Sequence, residues 1–277
     1  MWSRKIRSNL MVVACLAGLA LAVVPGSGHA DSPAGATNDP APKDWGIVVT
    51  PYLWLTGFDL SANGLGLEKS FSDIASVADG VFMFDVAGRW RWLFVAVDGI
   101  FVDFGNSSQL GDRLDLESGL KQQIFTLQAG VKLIDTISRQ ETNGWMLTAN
   151  AGARYWDMEP TISYTYHPIL PIFDDESGSS TFPGQWWDPI LGAAGIWRAS
   201  RIVQFEFAGH FGGFGVGNSS TFTWDLSGLA SFIVWRHIAI KTGYHVLSSD
   251  RTTGEGDDEI NTKLHMNGLI VGVSFFY

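Results

Sequence analysis

Gly268-Leu-Ile-Val-Gly-Val-Ser-Phe-Phe-Tyr277 is the stretch from which the rest of the chain is read. Counting back from Tyr277, every second residue is apolar: Phe275, Val273, Val271 and Leu269. The row between them (Phe276, Ser274, Gly272, Ile270, Gly268) is smaller and mixed. A period of two is a strand with one greasy face, because successive side chains leave a strand on opposite sides. A lone strand of this kind buries nothing, so the pattern gains meaning only if it recurs.

It recurs along the whole chain. Val81 to Trp90 sets Phe82, Phe84, Val86 and Trp90 against Met83, Asp85, Ala87 and Arg89. Trp92 to Asp103 follows after a tight turn, with Leu93, Val95, Val97 and Phe101 opposite Asp98. A strand ending at Ile134 opposes Phe125, Leu127 and Val131 to Thr126, Gln128 and Lys132. The cleanest is Trp145 to Tyr155, with Thr148, Asn150, Gly152 and Arg154 on its polar side. Trp187 to Trp197 carries Asp188 on the other face, Ile202 to Gly212 carries Gln204, Glu206 and His210, and Ile238 to Val246 carries Lys241 and His245. Thr223 to Val234 is the least regular, apolar on both faces. The first strand, Trp45 to Leu60, has Tyr52, Trp54, Thr56 and Phe58 on one side and Val49, Leu53 and Leu55 on the other, and either face could point outward.

Connections alternate between short turns (near Trp90, Arg139, Ala199 and Arg236) and long polar segments (near Ser70, Asn106, Asp175, Asn218 and Glu255). Within the first long segment, Ser72 to Val77 could form a short capped helix. Tryptophans gather at strand ends, Trp45, Trp90, Trp92, Trp145, Trp197 and Trp235 by the turns and Trp156, Trp186, Trp187 and Trp224 towards the loops. Short turns at one end, long loops at the other and two aromatic bands are the expected asymmetry of a membrane barrel. The expectation is an all-β fold: a single transmembrane antiparallel up-and-down β-barrel of about ten strands, eight to twelve fitting the same pattern. An extra hairpin could hide between Gly57 and Gly80. A secreted β-sandwich would also alternate, with its apolar face inward. Apolar rows of about five alternate positions match strands of ~9–11 residues that cross a bilayer at a tilt.

The start of the chain places it outside the cytoplasm. Arg4, Lys5 and Arg7 precede an apolar run from Leu10 to Val24, and Gly28-His29-Ala30 follows. That order makes residues 1–30 a secretory signal peptide, too short to serve as a membrane anchor that needs ~20 apolar residues. Residues 31–44, rich in Ser, Pro, Ala and Gly, read as a flexible leader, and 45–277 as the barrel. Cys15 is the only cysteine and leaves with the signal, which excludes disulfides and thiol chemistry in the mature chain. The formal net charge is −10 and no Lys/Arg-rich patch occurs, which argues against nucleic acid as a partner. The expected setting is the outer membrane of a Gram-negative bacterium. Lipid and lipopolysaccharide surround the barrel there, and assembly machinery recognises the terminal strand through Phe275 and Tyr277. The oligomeric state stays open.

Five segments in order carry a resemblance: Pro51-Tyr-Leu-Trp54, Ser70-Phe-Ser-Asp-Ile74, Gly152-Ala-Arg-Tyr-Trp156, Trp187-Asp-Pro189 and Gly212-Gly-Phe-Gly-Val-Gly217. With its terminal aromatic, the chain resembles a broad family of uncharacterised proteobacterial outer-membrane β-barrel proteins. The resemblance implies fold and location but brings no catalytic or binding residues. It departs at Asp250 to Asp258, where an aspartate-rich loop motif is replaced.

The alternation puts ten ionisable residues in the lumen: Asp85, Arg89, Asp98, Lys132, Arg154, Asp188, Glu206, His210, Lys241 and His245. A Lys or Arg facing lipid at the midplane costs ~2–4 kcal/mol, so the inward side is strongly constrained. Mixed charges in a closed space pair with one another, which makes a lumen-filling network. A narrow path for small solutes or a small-ligand pocket is the functional counterpart. An enzyme, a lipid or peptide hydrolase, would have to rest on His210 or His245. Glu206 and His210 lie too far apart along one strand to bond, and no serine or carboxylate spacing demands a triad. No cofactor and no metal site is expected, because the histidines are scattered and the acidic loop lacks ligand spacing.

Overall fold

A computed structural model describes residues 45–62, 65–69, 78–110, 114–137, 143–166, 176–181, 184–254 and 259–277. The expected signal peptide and leader, the capped helix at Ser72 to Val77 and the centre of the acidic loop lie outside the described residues. Twelve strands follow in order: β1 (Trp45–Ala62), β2 (Leu65–Lys69), β3 (Ala78–Trp90), β4 (Leu93–Leu110), β5 (Leu114–Asp135), β6 (Gly144–Tyr166), β7 (Glu176–Thr181), β8 (Gly184–Arg198), β9 (Val203–Gly213), β10 (Phe222–Trp235), β11 (Ile238–Thr253) and β12 (Ile260–Phe276).

Each strand pairs antiparallel with its neighbour, and β12 returns to pair with β1. β2 and β7 pair alongside the far ends of β1 and β6, beyond where β3 and β8 pair with them, so the closed wall has ten strands. The hairpin suspected between Gly57 and Gly80 is therefore an extension of the wall and adds no strands around it. The seam is sealed to the last residue: Tyr277 N–H donates to Ile47 O at 2.9 Å, and Ile47 N–H to Tyr277 O at 3.2 Å. Following register partners once round from Ile47, through Val95, Ala151, Phe211 and Ser248, returns to β1 at Asp59, twelve residues further on. A stagger of that size tilts the strands by roughly 40°.

The alternation resolves into an outward and an inward row on every wall strand. Outward on β6 run Trp145 to Tyr155, on β8 Trp187 to Trp197, and on β12 Leu269 to Tyr277. On β1 the outward row is Trp45, Ile47, Val49, Pro51, Leu53 and Leu55, and Tyr52, Trp54 and Thr56 turn inward. Ten residues at ~3.3 Å each, tilted by ~40°, span about 25 Å, the height of an outer-membrane apolar band. Aromatics edge that band: Trp145 stacks on Trp197 (5.5 Å) and Trp197 on Phe205 (5.3 Å) at the turn end, and Tyr155 meets Trp187 (4.8 Å) at the loop end.

Two sequence expectations are corrected. Trp156 and Trp186 were assigned to the loop-side aromatic band, but both point inward, fully or almost fully buried, and stack on each other at 5.5 Å. The reason is parity: each shares a strand face with a charged inward residue, Arg154 and Asp188. The long polar segments near Asn106 and Asp175 are paired strand over 106–110, 157–166 and 176–181, while 111–113, 167–175 and 182–183 lie outside the described residues. β4 and β5 stay in register out to Leu110 opposite Leu114, and β6 runs on to Tyr166. Beyond the band lipid no longer constrains the outward face, so pairing continues without the alternation that marks a strand in sequence.

Candidate functional site in the lumen

The lumen is filled in three tiers. At the loop end lies an apolar plug of Trp156, Met158, Trp186, Leu120, Leu264 and Met266, all buried. Asp188 fastens it: its carboxylate accepts from Trp156 Nε1 (2.7 Å), Ser220 N (2.6 Å) and Ser220 Oγ (2.8 Å). Ser220 comes from the loop after β9, where Gly213, Phe214, Gly215 and Gly217 all have φ between 61° and 84°. That left-handed run is cheap for glycine, and it folds the loop back into the mouth. Trp186 Nε1 also donates to Ser220 Oγ at 2.9 Å, and Arg251 lies over the Trp186 ring at 4.3 Å while donating to Asn218 Oδ1.

The middle tier centres on Asp225 of β10. Arg154 of β6 reaches across the lumen to Asp225 Oδ2 and donates through Nε to Thr126 Oγ1 at 3.2 Å. His210 of β9 places Nδ1 at 2.8 Å from Asp225 Oδ1, with Nε2 at 3.4 Å from Asn150 Nδ2. Since an amide nitrogen only donates, His210 Nε2 accepts and Nδ1–H donates to Asp225. His245 of β11 stands 3.9 Å from the same oxygen and packs against the Trp54 ring at 4.5 Å. Gly192 makes room for His210: a Cβ there would lie 2.2 Å from His210 Cδ2.

The third tier, nearer the turn end, pairs Glu206 with Lys241 at 2.8 Å, and Ser231 Oγ (2.7 Å) and Gln204 Nε2 (3.1 Å) donate to the same carboxylate. Across the lumen Tyr52 OH donates to Asp98 at 2.7 Å, and Asp85 is the direct register partner of Asp98.

All ten residues expected in the lumen sit on inward rows, but they do not form one network. Arg154, His210 and His245 converge on Asp225, Glu206 and Lys241 pair apart from them, and Asp188 serves the plug instead of a cation. Asp85 stands in register with Asp98 and its tyrosine. Arg89 lies exposed at the turn-end mouth, where Lys132 pairs locally with Asp135 at 2.8 Å. Sequence reasoning missed the hub itself, Asp225, and the latch, Ser220. Asp225 lies on the irregular β10, whose inward row also holds Leu229 and Ile233 and so hides its polarity. Both lumen imidazoles are directed at Asp225, where the hydrolase reading of His210 or His245 needs a nucleophile. Among the described residues, no group of three His, Asp or Glu side chains is arranged to hold a metal ion.

No family model matches the chain, and no curated protein matches it in sequence. Among solved structures it is similar to Ail, the attachment invasion locus protein of Yersinia pestis (11% identity, 85% of this chain and 100% of that one, TM-score 0.31). It is also similar to the translocator domain of the autotransporter NalP from Neisseria meningitidis (10%, 86% and 90%, TM-score 0.35). A third is the outer membrane protein OprG from Pseudomonas aeruginosa (9%, 84% and 96%, TM-score 0.32). At these values the fold rests on the chain's own strand pairing.

Proposed function

We propose that the protein is an outer-membrane β-barrel of a Gram-negative bacterium, a structural barrel whose lumen is closed at rest. One observation carries the reading: apolar side chains face out along a ~25 Å band while charges face in, the inverse of a water-soluble sandwich. The outward rows edged by stacked aromatics support contact with lipid and, above the band, lipopolysaccharide. Phe275 and Tyr277, which end the sealing strand, are the residues we assign to recognition by the barrel-assembly machinery. The segments from Pro51 to Gly217 support kinship with the uncharacterised proteobacterial barrels they resemble.

Closure rests on the plug and the Asp225 hub, whose side chains come from β5, β6, β8, β9, β10, β11 and β12. The polar third tier favours a second reading, a narrow pore for small solutes entered from the turn end, which would need the plug to move. Reconstitution in planar bilayers separates the two. The structural reading expects no discrete conductance steps from the parent protein and steps from Asp225→Ala, whereas steps from the parent at rest would replace it with the pore.

A further inference from the structure

Just above the apolar band, on the outside of the wall, Ser248 of β11, His265 of β12 and Asp59 of β1 stand side by side as direct register partners. All three face outward and line a cavity of about 300 Å³ together with Ser61, Asp250 and Lys263. The strand order places the imidazole between the hydroxyl and the carboxylate, as a nucleophile, base and orienting acid require. Paired strands lie ~4.8 Å apart, so Trp224, two strands away from β12, is ~10 Å off by backbone. Its ring centre is nevertheless only 6.5 Å from that of His265. Ser248 is the residue between them in register, so the two rings approach each other over it. Next below, Asn267 accepts from Tyr244 OH through Oδ1 at 2.7 Å, which fixes its side-chain amide.

We propose that this row is a serine hydrolase site for the ester bonds of glycerophospholipids. The substrate class rests on the outer-membrane reading: Leu55 and Leu269 below the row face acyl chains, so the row lies at the height of the ester carbonyls. Ser248 Oγ attacks the carbonyl carbon as its proton passes to His265, and the Asn267 amide and the Lys263 ammonium, two residues to either side of His265 on β12, are the donors for the developing oxyanion. The ester C–O bond then breaks and His265 returns the proton to the leaving alcohol. Water, deprotonated by His265, releases the fatty acid and restores Ser248. Asp59, the register partner of His265 on β1, is a positioning residue that orients the imidazolium as it forms.

The test treats the detergent-solubilised protein, its folding checked by heat-modifiable gel mobility, with a fluorophosphonate probe and with phosphatidylethanolamine vesicles. The expected result is labelling and fatty-acid release by the parent and by Ser163→Ala, a serine of β6 outside the cavity, and neither from Ser248→Ala. His265→Ala should slow release about 100-fold or more, and Asp59→Asn should lower kcat with KM unchanged. A folded parent that neither labels nor releases fatty acid, or a Ser248→Ala that still labels, overturns the proposal. Loss of heat-modifiable mobility in the parent would instead strike the barrel reading on which the substrate class rests.

Discussion

Two aspartate–histidine pairs stand in the same relation, directly opposite each other on neighbouring strands, but one faces in and the other out. His210 and Asp225 face the lumen, and Asp59 and His265 face away from it. Inside, water is scarce and every polar atom is pressed to find a partner, so Asp225 gathers Arg154, His210 and His245 around itself. Outside, above the apolar band, the pair lines a cavity of about 300 Å³. The register is the same and the chemistry is opposite. Burial turns one pair into a lock, and exposure leaves the other free to meet a ligand.

Perturbing each side should separate these roles, and the largest effect belongs to the lumen. Asp225→Ala strands a buried guanidinium and two imidazoles, and is expected to destabilise the barrel by about 3–5 kcal/mol in urea unfolding from detergent micelles. Next comes the outward row at mid-band: Val273→Arg should cost ~2–4 kcal/mol by the same assay, because it faces the charge to lipid. Ser220→Ala removes the latch on Asp188 and should cost ~1–3 kcal/mol while loosening the loop-end mouth, readable as faster hydrogen exchange at Ser219 and Ser220. The outer pair should register least, with Asp59→Asn and His265→Ala changing stability by no more than about 0.5 kcal/mol. Equal costs for the inner and outer pairs would erase the distinction between lock and open site.

The outward rows were legible in the sequence because lipid constrains each residue separately. Leu269, Val271 and Val273 each obey the rule without reference to any other strand. Three of the short connections, near Trp90, Ala199 and Arg236, were legible for a similar reason, since they break the alternation sharply, and the one near Arg139 lies outside the described residues. The partners within the lumen were not legible. Arg154 and Asp225 lie 71 residues apart, and alternation says which side a residue faces without saying whom it meets there. Parity alone could have moved Trp156 and Trp186 inward, but their place beside the loops suggested an interfacial band. The Asp59–His265–Ser248 row needed the register of β1, β11 and β12, which no single stretch encodes.

The central claim is that the wall is inverted, apolar outward and polar inward. The mature chain that the sequence implies lacks cysteine, so single cysteines placed from Leu269 to Ser274 can each carry a spin label in protein reconstituted in bilayers. Collision rates with oxygen, which partitions into lipid, and with a water-soluble nickel chelate report the side each label faces. The account predicts a period of two, with oxygen access high at 269, 271 and 273 and low at 270, 272 and 274. High chelate access at 269, 271 and 273 would contradict it.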